Sequence, residues 1–386
     1  MSKIFTKQML ILGVVTFLYM FSISMTNPVI AGLCALLGGS GLAMGVVGGL
    51  SSFVSLFCRP FLGSLIDRND RRKLGLIGLA FMWFGGMICG LSPNVWLLLV
   101  GRLAVGVGLA ISSSTFSTWV ATSLPPDQIG QGMGLYGVIQ ALSMAIAPAL
   151  GLWVADLVSS RLTCLISAAM NMISILMVLP LTDEHYIKAA ERNRTNSFEG
   201  KQIFIPRLLP VALLMFLFCV PYNGTMAFLE TSIIDRGLDF SAGPYFTIFA
   251  IALLVTRLTL SRFLDAYPYR LFVWMCIPFG VLSMLCLQWM HGIGMMIVSA
   301  IFLTFSYGII QPVSQAAGIR SVSEEQHGIA NCTYYIGMDL GMAFGPMIAG
   351  GVYQSLGNSA LFYVMAAFPL LAIPVSLCCH TSLRNL

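Results

Sequence analysis

The sequence predicts an all-α polytopic membrane protein of twelve transmembrane helices arranged as two pseudo-symmetric six-helix bundles. Three observations carry this prediction: an extreme composition, twelve apolar runs of membrane-crossing length, and a repeat that relates the two halves. Of 386 residues, 58% are hydrophobic and 9% are charged, against about 25% charged in a soluble domain. A mean hydropathy of +0.88 leaves too little polar surface to cover water-soluble domains.

A helical span takes about 20 apolar residues. Apolar runs bounded by turn and charge punctuation place six spans near 8–32, 43–66, 74–93, 95–121, 133–157 and 162–181. The first run follows Lys3 and Lys7. It is too long for a signal-peptide core of about 7 to 15 residues and is expected to remain as span 1. Six more spans follow near 207–230, 244–263, 270–290, 293–317, 328–352 and 359–379. Between the sets lies the longest charged segment, with Lys188, Glu191, Arg192, Arg194, Glu199 and Lys201. The expected organisation is therefore an N-terminal bundle over 1–182, a cytoplasmic linker over 183–206 and a C-terminal bundle over 207–386.

Placing the N-terminus in the cytoplasm puts fifteen of the 20 Lys and Arg inside, including Arg68, Arg71, Arg72 and Lys73, and leaves Arg161 and Arg236 outside. The positive-inside rule then orients both termini to the cytoplasm. Arg59, Arg102 and Arg257 fall within spans. Adding 198 to Arg59, Asp67 and Pro148 lands on Arg257, Asp265 and Pro346. Three unusual membrane-protein residues recurring at one offset mark an internal repeat, and two related halves imply a central cleft with rocking between them.

The net charge of +5 and the scattered basic residues do not imply nucleic acid. The ten cysteines contain no C-x-x-C pair and read as packing residues, with neither a disulfide framework nor a zinc site. With four His and no phosphate-binding loop, H-E-x-x-H or nucleophile elbow, the chain has no candidate enzyme chemistry and no expected cofactor or metal.

The segment Gly63–Lys73, GSLIDRNDRRK, joins spans 2 and 3. It resembles the signature loop of the major facilitator superfamily, with Asp70 where the family usually has Gly. Asp67 at the inner end of span 2 suits the N-terminus of a neighbouring helix, whose dipole favours a carboxylate by about 0.3 to 2 kcal/mol. The resemblance implies that this helix is span 11 and that Gly63, Asp67, Arg68, Arg71, Arg72 and the repeat-related Asp265 gate the cytoplasmic side. Gly101–Gly108, GRLAVGVG, is similar to the family's span 4 motif and makes Arg102 a candidate proton-relay or substrate contact. In span 5, Ala147–Gly151, APALG, resembles the antiporter motif through Pro148 and Gly151. Span 11 carries the fuller form, GMDLGMAFGPMIAGG over 337–351, with Gly341, Gly345 and Pro346. Small residues four apart favour close helix packing in lipid.

Intramembrane carboxylates are functional candidates by default. Asp339 is one, and Glu230 near the outer end of span 7 is similar to the span 7 carboxylate of drug:proton antiporters. Family placement of spans 1, 4, 7 and 10 around a cavity gives a mixed, uncharged lining. It includes Asn27, Ser113, Thr115, Trp119, Tyr222, Asn223, Tyr307, Gln311 and Gln315, and suits an amphiphilic or zwitterionic organic molecule. Many of these side chains are expected to bond to their own helix. Granting span 2 beside span 11, Arg59 and Asp339 stand at one height, about 12 Å from the helix ends at ~1.5 Å per residue. They are expected to pair, with Arg102 and Glu230 as further proton-coupling candidates. The repeat of Asp339 is Ala141, so Arg257 must instead find Gln140, a carbonyl or an anionic group of substrate.

Together these readings predict a secondary transporter resembling the twelve-span drug:proton antiporter branch. It is expected to expel small organic molecules against protons as a monomer in a bacterial cytoplasmic membrane, with no cofactor beyond the proton gradient. The alternative is a proton-coupled or facilitative importer of a small metabolite, since the same fold serves both directions.

Overall fold

The structure is a computed structural model that describes residues 7–39, 41–125, 128–183, 204–260 and 267–378. Its long helices are α1 (Lys7–Leu36), α2 (Gly41–Arg68), α3 (Arg71–Leu91), α4 (Val95–Thr122), α5 (Ile129–Leu157) and α6 (Ser160–Val178). They continue as α7 (Leu209–Asp235), α8 (Gly243–Leu260), α9 (Tyr269–Gln288), α10 (Ile293–Arg320), α11 (His327–Leu356) and α12 (Asn358–Cys378). No strand occurs among the described residues. Ten of these helices are long and apolar enough to cross a membrane by length and composition. The apolar part of α8 is shorter, and α11 is diluted by Asn331, Asp339 and a run of glycines. Most of the expected linker, residues 184–203, lies outside the described residues, as does Asp265.

By their contacts the residues divide into two compact units. The first comprises Met1–Pro125, Ile139–Phe204 and Ser323–Cys332, and the second Pro126–Val138, Ile205–Val322 and Thr333–Leu386. The two pseudo-symmetric helices α5 and α11 thus each contribute their first turns to one unit and their remainder to the other.

In the first unit, local sequence sets the helix ends. Asp70, Asn94 and Ser159 each accept a backbone N–H from the first turn of α3, α4 and α6, so three helices start on side-chain caps. On α2, Phe53, Phe57, Phe61 and Leu65 form an exposed stripe at four-residue spacing, while Ser51, Ser55 and Arg59 are buried. That inversion of the soluble pattern fits an apolar solvent. Helices α1 and α6 are joined by a polar seam: Asn171 Nδ2 donates to Ser22 Oγ at 2.9 Å and Ser167 Oγ donates to the Ser22 carbonyl at 3.0 Å.

The α3–α4 contact is built on glycine. A Cβ on Gly108 would stand 2.6 Å from the Gly78 carbonyl oxygen and 2.7 Å from Met82 N, and one on Gly85 would stand 2.7 Å from the Gly101 carbonyl oxygen. Gly106 faces α2 instead, where a Cβ would lie 2.7 Å from the Ser51 carbonyl. The glycines of the span 4 motif therefore serve two different neighbours.

In the second unit, the Ser283 and Ser299 hydroxyls lie 2.9 Å apart across α9 and α10. Arg236, just past α7, donates through Nη1 to the carbonyls of Leu287 and Gln288 at 3.0 and 2.8 Å. This places a cation on the C-terminal end of α9, where the helix dipole favours it. Span 10 is not the uninterrupted α-helix that its apolar run suggests, because Thr304–Gly308 is a π segment. Pro312 explains it: proline has no N–H for the Gly308 carbonyl, and its ring crowds that oxygen, so the preceding turn widens. The widened turn carries Tyr307.

Replacing Gly108 with Leu forces a side chain into the α3–α4 backbone contact, an overpacking of about 1 to 3 kcal/mol. The melting temperature of the purified protein should fall by several degrees. Gly292→Ala, at a glycine with nothing within 4 Å, should leave it unchanged.

Candidate functional site

The signature segment in the α2–α3 turn forms a defined contact with the start of α11, within the first unit. Asp67 Oδ1 accepts the Gly328 N–H at 2.6 Å and Oδ2 accepts the Ile329 N–H at 3.0 Å. These amides belong to the first turn of α11, whose N–H groups have no partner inside the helix. Charge-assisted bonds of this kind contribute about 1.5 to 3 kcal/mol each. Two glycines allow the approach. A Cβ on Gly63 would stand 2.7 Å from Ile329 Cα, and a Cβ on Gly328 would meet Asp67 Oδ1 at 2.7 Å and the Gly63 carbonyl oxygen at 2.8 Å. Asp70 makes the turn without glycine, since it caps α3 with an ordinary negative φ of −58°. Arg71 pairs with Asp183, Nη1 to Oδ1 at 3.5 Å, and Arg72 Nη2 donates to the Leu179 carbonyl. Arg68 is exposed. Sequence reasoning missed Gly328 and Asp183. The repeat offset held a signal for the first, because 328 maps onto Gly130. Asp183 read only as the first residue of a charged linker.

The two repeat-related arginines make repeat-related contacts. Arg59, 1% exposed, donates through Nη1 to Ser113 Oγ at 2.9 Å and to Ser114 Oγ at 2.6 Å. In the second unit Arg257, 4% exposed, donates through Nη2 to Gln311 Oε1. Ser113 and Gln311 are themselves 198 positions apart, so one arginine-to-helix contact recurs in both halves. Gln311, which sequence had placed in a cavity lining and not against an arginine, was not among the partners foreseen for Arg257. The Gln140 Nε2 atom is buried without a hydrogen-bond partner.

Around Arg257 the second unit gathers aromatic hydroxyls. Tyr222 and Tyr307 stack with centroids 4.0 Å apart and planes 8° apart, and Tyr222 also meets Phe249 at 5.5 Å. The hydroxyls of Tyr222, Tyr307 and Tyr334 lie within electrostatic reach of the guanidinium. Asn223 turns back on its own helix, donating to the Cys219 carbonyl at 2.9 Å. In the first unit Trp119 is fully buried and stacks on Phe116 at 6.4 Å, its Nε1 having no partner. Thr115 Oγ1 is a second buried orphan on α4.

Arg102 does not reach outward. It is 1% exposed, donating from Nε to the Val47 carbonyl at 3.0 Å and from Nη2 to Asn27 Oδ1 and the Gly48 carbonyl, each at 3.1 Å. Asn27 is exposed and acts as a ligand of that arginine. Beside Arg102 lies a cavity of about 10 Å³ lined in part by Ser22, Cys89, Cys164 and Asn171, close to the room needed by one water. The two candidate carboxylates differ. Asp339 is 3% exposed within α11, whereas Glu230 is exposed and its Oε2 accepts the Ala242 N–H at 2.6 Å, at the start of α8. A helix-capping contact accounts for Glu230 locally.

The small residues of the two proline motifs are packing sites. On α11, Gly337, Gly341 and Gly345 successively face Ala212, Cys219 and Val220 of α7. A Cβ on Gly345 would stand 2.9 Å from the Val220 carbonyl oxygen. Gly151 lies against the Met25 carbonyl of α1. Pro148 and Pro346 sit inside α5 and α11.

With this geometry in hand, comparison with known proteins fixes the class. The Major Facilitator Superfamily model matches residues 12–331 and 241–380. The chain belongs to that family and is an integral membrane transporter, whose partners are a small-molecule substrate and the lipid bilayer. It is 24% identical over 334 residues to the Multidrug resistance protein MdtG of Dickeya zeae (strain Ech586), covering 84% of this chain and 81% of that one. It is 32% identical over 97 residues to the uncharacterized MFS-type transporter YhcA of Bacillus subtilis (strain 168). That match covers 25% of this chain and only 18% of the relative's length. In structure it is similar to the human organic anion transporter MFSD10 (TETRAN), with a TM-score of 0.79, 18% identity and coverage of 95% and 97% of the two chains. At that identity the likeness shows the fold.

The Asp67 contact is directly measurable. In Asp67→Asn the neutral amide keeps the shape but loses charge and one acceptor, a change of about 1.5 kcal/mol or more. Hydrogen–deuterium exchange at the Gly328 and Ile329 amides should speed up about tenfold. Unchanged protection would show that the carboxylate does not hold the helix start.

Proposed function

We propose that the protein is a proton-coupled exporter of small amphiphilic or zwitterionic organic molecules, working by alternating access between bundles 1–182 and 207–386. The observation that carries the proposal is Asp339. Among the described residues of the long helices it is the one buried carboxylate, on the helix that also bears the fuller glycine-proline motif. A carboxylate held in a low-dielectric span is placed to exchange a proton as its surroundings change. Relatives named for multidrug resistance support the outward direction. In this proposal the Asp67 contact gates the cytoplasmic side and Arg59 is the charge partner that Asp339 gains and loses. Arg102 and Glu230 are secondary members of the proton path. The protein is assigned to a bacterial cytoplasmic membrane with both termini inside, as a monomer driven by the proton gradient without a cofactor.

The test is the sign of proton movement. Substrate added outside acidified proteoliposomes should release protons, whereas co-uptake of protons with substrate would reverse the sign and sink export in favour of import. Asp339→Asn should abolish pH-driven accumulation while passive exchange survives, with Glu230→Gln showing the smaller loss. Retained uphill transport in both single mutants and the double mutant would remove these carboxylates from the mechanism. A double-mutant cycle of Arg59→Ala and Asp339→Ala with purely additive losses would end the proposed partnership.

A further inference from the structure

We propose that Arg257, with Gln311 and the hydroxyls of Tyr222, Tyr307 and Tyr334, is an anion subsite, and that the substrate class is an amphiphilic organic monoanion. Such a molecule carries a single carboxylate on an aromatic or apolar body. This deepens the reading of the protein as a transporter of small organic molecules and rests on it.

The argument begins with how three buried arginines are satisfied. Arg102 is held by two backbone carbonyls and Asn27, an arrangement that fixes it in place. Arg59 meets two serine hydroxyls. Arg257 bonds to the Gln311 carbonyl, and its Nε is buried with no partner. A guanidinium cannot shed its charge in a protein and presents five donors in a planar fork. Among the described residues one neutral acceptor leaves most of that fork unanswered, and the groups that act on it electrostatically are tyrosine hydroxyls.

The neighbouring groups suit an incoming anion. The donors of Gln311 and Tyr334 go to the Met338 thioether at 3.8 and 3.9 Å, a weak acceptor that a carboxylate oxygen outcompetes. Tyr222 and Tyr307, stacked and flanked by Phe249, offer aromatic faces to an apolar body next to the charge. Gly137 leaves room for the fork: a side chain there would collide with Arg257 Nη1, so the Nη1 end of the guanidinium packs against this glycine.

The test uses the purified full-length protein and a matched series on one skeleton: 2-naphthoate, 2-naphthamide and 2-naphthylmethylamine, with octanoate as a carboxylate without a ring. Thermal-shift titration should show saturable stabilisation by 2-naphthoate, weaker stabilisation by octanoate, and none by the amide or amine. Arg257→Gln should weaken 2-naphthoate binding at least tenfold, Arg257→Lys less, and Gln311→Ala should give a smaller loss. If Arg257→Gln does not fold, Arg257→Lys and Gln311→Ala carry the same comparison. Binding of the amine or amide as tight as the carboxylate, failure of both carboxylates to bind, or carboxylate affinity unchanged in the folded variants would each overturn the subsite. The direction of transport separates independently. Proton co-uptake with 2-naphthoate would overturn export and leave the subsite standing. Exchange of the amine for protons, with no carboxylate binding, would do the reverse.

Discussion

Hydrocarbon offers no hydrogen-bonding partner, so every polar group carried into a spanning helix must be answered from within the protein. That constraint organises this structure. Serines 113 and 114 exist on α4 where Arg59 needs acceptors. The carbonyls of Val47 and Gly48 are turned to Arg102, and Ser22, Ser167 and Asn171 close a seam between α1 and α6. Glycine serves the same end by another route, letting backbones approach until dispersion replaces the hydrophobic drive that lipid removes. Polar matching and close backbone contact are therefore two halves of one solution.

Much of this was legible in the sequence, because membrane length, charge placement and repetition are properties of linear order. The span positions hold to within a few residues, and α11 begins where the Asp67 argument needed a helix start. Other features depend on three-dimensional choices among equivalent partners. Nothing in the order of residues distinguishes Gln311 from Gln140 as the acceptor for Arg257, or a backbone carbonyl from solvent for Arg102. Asp183 hid in a charged stretch whose other residues gave it a linker's character, yet it is 4% exposed against Arg71. The π segment was hidden because Pro312 is compatible with several local remedies, and geometry selects among them.

The internal repeat is informative mainly where it fails. Arg59 and Arg257 use the same contact at the same offset, which is inheritance from a common half. The acceptors have diverged, two hydroxyls in one half and one amide in the other.

Among the described residues the carboxylate of Asp67 accepts hydrogen bonds from main-chain amides and from no side chain. Its partner is consequently invisible to any approach that seeks complementary residue types, because no substitution at position 329 other than proline can delete the N–H that is recognised. Apart from proline, only a change of backbone shape can. The sensitivity falls on Gly328, where a side chain intrudes on the carboxylate itself, so the tolerance of this segment to substitution should look steric even though the force that holds it is electrostatic.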